Sequence, residues 1–188
     1  MTTRPRAGVV LARRRVLGSL VGTLVPGALA AQPRGGARTR PASTPKFSID
    51  LPEKDWRLLP GGLQMFGCVA HKDDTAVLLI EHELLQIALT SDEIDGNFAE
   101  LELGELKERE PAGSAFASQI AQVGRRRMVM VDFERRASAG SEHVRVYVVL
   151  QGRHLYRLVC VAPSPEFTRY ALAFQAMCGS FTTLGTAG

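Results

Sequence analysis

The sequence predicts an α+β domain, an antiparallel β-sheet flanked by helices on both faces. Three observations carry that expectation. Short apolar runs are joined by short polar connections, which favours antiparallel neighbours. The run at 126–135 is apolar on both faces, with Met128 and Met130 on one side and Val129, Val131 and Phe133 on the other. Such a strand needs cover on both sides of the sheet. Two further segments repeat apolar residues at helical spacing and carry helix start signals.

The elements follow in order. "KFSIDLP" at 46–52 alternates Phe47, Ile49 and Leu51, and Pro52 stops it. "LQMFGCVAH" (63–71) and "TAVLLIEHE" (75–83) flank Lys72-Asp73-Asp74 and read as a hairpin. Thr90 and Glu93 have capping-box spacing. A helical stripe of Ile94, Phe98, Leu101 and Leu106 follows and ends at Pro111, with Gly96 and Gly104 as the points where it would split. Strand runs at 126–135, 142–151 and 154–162 come next, joined by "RASAGS" and "QGR". In the last helix, Ser164 caps, Pro165 suits the first turn and Gly179 ends it. Its stripe is Phe167, Tyr170, Ala171, Phe174, Met177 and Cys178.

The first 45 residues read differently. Arg13, Arg14 and Arg15 precede an uncharged apolar run, and Ala28-Leu29-Ala30 is a small-x-small site, placing cleavage between Ala30 and Ala31. Residues 1–30 are therefore expected to be a signal peptide. Arg13 and Arg14 in "RRRVLG" loosely match the twin-arginine export pattern. The run is shorter than the roughly 20 residues of a stable membrane span. Residues 31–45, rich in Pro, Gly, Arg and Thr, read as a flexible linker. Residues 46–188 suit one domain. Arg4, Arg6, Arg13, Arg14 and Arg15 lie in the leader, and Arg34, Arg38 and Arg40 in the linker. Of the 23 Lys and Arg, 15 remain beyond position 45, against all 19 Asp and Glu. The domain is thus mildly acidic, and the overall pI of about 9.2 does not point to nucleic acid.

Catalytic spacing is lacking in the sequence. No HxH, HExxH, CxxC or GxSxG pattern occurs among its residues. Of the histidines, His143 and His154 fall at opposite ends of adjoining strand runs, and His82 opposes Glu81 and Glu83 within "EHE". Glu100, Glu102, Glu105 and Glu108 read as a solvated helix face. A helix returning over its strand is expected to leave Cys160 near the shared turn and Cys178 roughly 20 Å away, too far for a disulfide. Three buried thiols are the leading expectation, and one disulfide through Cys68 stays open. Trp56, the single Trp, reads as a plug at a sheet edge or as a binding aromatic. Arg125, Arg126 and Arg127 form a small basic patch.

The order of features resembles the PsbP-like superfamily, named after the extrinsic subunit of photosystem II. The matching positions are Leu51, Pro52, Trp56, Tyr156, Phe167, Phe174, Ser180 and Phe181. They lie in an opening "Leu-Pro…Trp" segment and a closing strand, helix and "Ser-Phe". The resemblance implies an antiparallel sheet between helices, an accessory role and no catalytic centre. The chain is therefore expected to be a bacterial-type exported member, periplasmic or secreted. It is read as a non-enzymatic accessory or protein-binding domain of the cell envelope. The alternative is a periplasmic binding protein for a small apolar ligand or lipid. No cofactor and no metal site are expected. The partner is an unknown envelope protein rather than nucleic acid, with no stable membrane span after leader removal. The expected interaction surface is Trp56 with Arg125, Arg126 and Arg127.

Overall fold

In a computed structural model of the chain, residues 46–52, 55–59 and 66–184 are described. The leader, linker and cleavage-site expectations lie outside them. The strands are β1 (Lys46–Ser48), β2 (Trp56–Leu59), β3 (Gly67–His71), β4 (Val77–Leu89), β5 (Gly113–Val123), β6 (Arg126–Ala137), β7 (Gly140–Pro163) and β8 (Thr182–Leu184). The helices are α1 (Gly96–Arg109) and α2 (Phe167–Ser180). The main sheet is antiparallel in the order β2-β3-β4-β7-β6-β5, and β1 pairs with β8 in a small separate ribbon.

β7 holds 24 residues, and a straight strand of that length would hold its ends roughly 75 Å apart. Yet the Ser164 N–H, just past its end, donates to the Ser141 carbonyl at 2.9 Å. The element therefore doubles back, and Gly152, at φ +60°, supplies the left-handed residue of the turn. Its first limb pairs with β6 and its second with β4. This is the hairpin that "QGR" led us to expect.

Side-chain alternation sorts the core into two layers. On one face, Leu78, Ile80, Met128, Tyr147, Tyr156, Leu158 and Cys160 pack with Phe167, Tyr170, Phe174, Met177 and Cys178 of α2. On the other, Val129, Val131, Phe133, Val144, Val146 and Val148 pack with Ile94, Phe98, Ala99 and Leu106. The architecture is the expected antiparallel sheet between helices.

Several local expectations change. β5 was not among the strands expected from the sequence. Its small and polar residues alternate weakly because it is an edge strand, bonded on one side only. β2 likewise escaped notice, although it carries Trp56. The Thr90–Glu93 motif caps only a 3-10 turn, Ser91–Glu93, and the helix restarts at Gly96, where Asp95 Oδ1 accepts from the Phe98 N–H at 2.9 Å. Ser164 does not cap α2, because its hydroxyl is used on Ser141. Gly179 does not end that helix either, which runs on to Ser180. Within α1, Leu101 is exposed and Glu102 is fully buried, the reverse of the expected stripe.

Candidate functional site

The arginine run sits in the β5–β6 turn. Gly124 opens that turn at φ +61° and lies against Gly179 near the end of α2. At Gly124 it is the positive φ that favours glycine, since a Cβ there would make only ordinary contact with Gly179. Arg126 is half-buried, and its Nη1 donates to the Phe181 carbonyl at 2.6 Å. A cation there also complements the carbonyl end of α2. Arg125 and Arg127 are exposed. Beside them lies a cleft of about 240 Å³ lined by Ser91, Arg126, Arg127, Val149, Leu150 and Gln151. Donor groups and exposed positive charge there suit an anionic group of a partner.

Trp56 is placed elsewhere. It is 6% exposed and meets His71, Tyr170 and Phe174 edge-on, with ring centroids 5.3, 6.0 and 5.6 Å away. The structure supports the plug reading, since a side chain so enclosed offers little area to a partner.

The histidines fall into separate clusters. His143 Nε2 lies 2.8 Å from Asp132 Oδ1, which also accepts from Arg145 Nε at 2.7 Å, and the His143 ring packs on Phe167 at 3.9 Å. Burial works against the Arg145 charge, but the hydrogen bond and charge of Asp132 more than offset it and raise its pKa. Asp132 thus bridges His143 and Arg145 across neighbouring strands. His82 and His154 share a hydrogen bond of 2.8 Å and stack with Tyr156. Burial, then the neighbouring His154, lowers the His82 pKa. No group of three or more His, Cys, Asp or Glu among the described residues is arranged to hold a metal ion.

The carboxylates expected on a solvated face divide. Glu102 is buried against Arg157, itself 3% exposed, at 3.0 Å. Glu83 and Glu105 each reach the same guanidinium at 2.9 Å, and Glu81 pairs with Arg109 at 2.8 Å. Burial opposes the Arg157 charge, while Glu102 and Glu83 restore it and raise its pKa. The cluster ties α1 to the sheet.

The expected gap between Cys160 and Cys178 is overturned. Their sulfurs are 3.8 Å apart, and both residues are fully buried. The earlier distance counted only the helix. The strand residues from Cys160 to the turn also span a distance, at about 3.3 Å each. The helix returns over them at about 1.5 Å per residue, so the two paths nearly cancel. Burial and the Cys178 contact push the Cys160 thiol well up, and burial pushes Cys68 to about 11. Thiols held this way are poor nucleophiles.

The fold is an α+β sandwich, and no helix among the described residues is long and apolar enough to cross a bilayer. No protein-family model matches the sequence, and no curated protein does. Solved structures do share the fold. One is LpqN, involved in cell envelope biogenesis of Mycobacterium tuberculosis, at 18% identity and TM-score 0.53, covering 74% of this chain and 83% of that one. Another is a protein of Bacteroides thetaiotaomicron VPI-5482, at 13% identity and TM-score 0.53, covering 76% of this chain. This chain spans 46% of that longer one. Cyanobacterial PsbP from Synechocystis sp. PCC 6803 is also similar, at 9% identity and TM-score 0.44, covering 79% of this chain and 98% of that one.

Proposed function

We propose that the chain is an exported, non-enzymatic accessory domain that binds a protein partner in the cell envelope. The observation that carries this reading is the β5–β6 turn, where Arg125 and Arg127 stand exposed beside a polar cleft while Arg126 anchors the turn to α2. Exposed guanidinium groups at Arg125 and Arg127 suit an acidic segment of a partner protein. The leader sequence and the fold shared with LpqN, a protein of envelope biogenesis, support the location. The apolar-ligand alternative gains little support, because both faces of the sheet are filled by side chains and helices. Two surface clefts among the described residues, about 520 and 240 Å³, are open and mix charged, polar and apolar lining residues.

The test is partner cross-linking in intact cells, with mass spectrometry of the recovered chain. The expected chain begins at Ala31 and comes from the envelope fraction. The double variant Arg125→Glu/Arg127→Glu should lose partner capture at least about tenfold while keeping its circular dichroism spectrum. Unchanged capture would remove the arginine turn from the interface. An unprocessed chain confined to the cytoplasm would overturn export.

A further inference from the structure

The strand-turn-helix segment ending the domain brings two of the three cysteines together. Cys160 lies on the second limb of β7 and Cys178 on the buried side of α2, with sulfurs 3.8 Å apart. A disulfide requires about 2.05 Å, so closure needs the two sulfurs to approach by less than 2 Å. Cys68 is excluded from this pair by strand register. Val69 stands opposite Leu78, and Leu78 opposite Cys160, so these three share the face that α2 covers. Cys68, one residue before Val69, points to the other face.

We propose that Cys160 and Cys178 are a disulfide-forming pair that closes while the chain folds in the presence of an external disulfide, and that folding then seals whichever state was reached. The chemistry balances with a small-molecule disulfide as oxidant. One cysteine thiolate attacks it, forming a mixed disulfide and expelling one thiolate. The second cysteine, deprotonated, attacks the protein sulfur of that mixed disulfide and expels the other. Two protein thiols have lost two electrons and two protons, and the external disulfide has become two thiols.

Sealing follows from burial. Both cysteines have zero exposure, in the buried layer that also holds Tyr147, Leu158, Phe174, Met177 and Phe181. A mixed disulfide with an external molecule has no room in that layer, so exchange requires α2 to lift from the sheet. A chain folding in an oxidising compartment would carry the bond, and one folding under reducing conditions would keep its thiols after transfer. The redox state of this pair therefore records where the chain folded, whatever it binds.

The test refolds the full chain from reduced, denatured protein in oxidised and reduced glutathione, beside a sample refolded without oxidant and exposed to the same mixture afterwards. Trypsin separates the three cysteines, cleaving after Arg157 and Arg169 and isolating Cys68 in a peptide ending at Lys72. The first sample should lose about 2 Da and yield one cross-linked pair, peptide 158–169 with peptide 170–188, leaving Cys68 alkylatable. Cys68→Ser should form the same link. In the second sample the link should form at least about 100-fold more slowly. Three free thiols after oxidative refolding, or a link through Cys68, would overturn the pairing. Equal rates in the two samples would overturn the sealing.

Discussion

Arg157 is the cation on which the α1 face depends, and its removal is the sharpest test of the energetic reasoning. The side chain is 3% exposed and holds Glu102, Glu83 and Glu105 within 3.0 Å, with Glu102 fully buried. Arg157→Met keeps an unbranched apolar stem and removes the guanidinium with its charge. Three carboxylates then converge on an apolar side chain between helix and sheet. Breaking a buried ion pair from one side costs about 3–5 kcal/mol. With a urea m-value of about 2 kcal/mol/M, that lowers the unfolding midpoint by roughly 2 M. Replacing both principal partners, Arg157→Met with Glu102→Leu, exchanges the buried charges for apolar packing and should recover most of the loss. The assay is urea unfolding of the purified chain followed by circular dichroism. A single variant losing less than about 1 kcal/mol would refute the claim that the cluster is electrostatically enclosed. A double variant no more stable than the single would refute the claim that the penalty arises from Glu102.

Other consequences are equally concrete. Trp56→Ala should cost about 3–5 kcal/mol, read as a lower melting temperature, and in the parent the fluorescence of this one Trp should shift to the red on unfolding. Gly67→Ala would place a Cβ 2.5 Å from the Phe47 ring, displacing β1 at a cost of about 1–3 kcal/mol, and Phe47→Leu in the same chain should return part of it in thermal melts. His82, whose pKa is lowered in the fold by burial and by His154, takes up its proton less readily folded than unfolded. Its contribution to stability is therefore present above the unfolded value of 6.5 and is lost as pH falls through the depressed folded value. Urea midpoints measured from pH 7.5 to 5 should fall less steeply in His82→Gln than in the parent.

The sequence by itself determined the layers of this protein. The two-sided apolar pattern of Met128 to Phe133 required a sheet covered on both faces, and the stripe from Phe167 to Cys178 supplied one of the covers. The basic run Arg125 to Arg127 was also legible as charge, while the half-burial of Arg126 was not. These features are local, because strand alternation and helical repeat are written within a few consecutive residues. Only the tertiary structure decided which distant residues meet. Whether α1 faces the sheet with Leu101 or with Glu102 depends on Arg157, 55 positions further along, since a buried guanidinium draws a carboxylate into a place an apolar residue would otherwise take. Trp56 became core because β2 lays it beneath Tyr170 and Phe174. Cys160 and Cys178 met because a strand advances about twice as far per residue as the helix that returns over it, so their separation is set by a difference of two paths that local pattern does not carry.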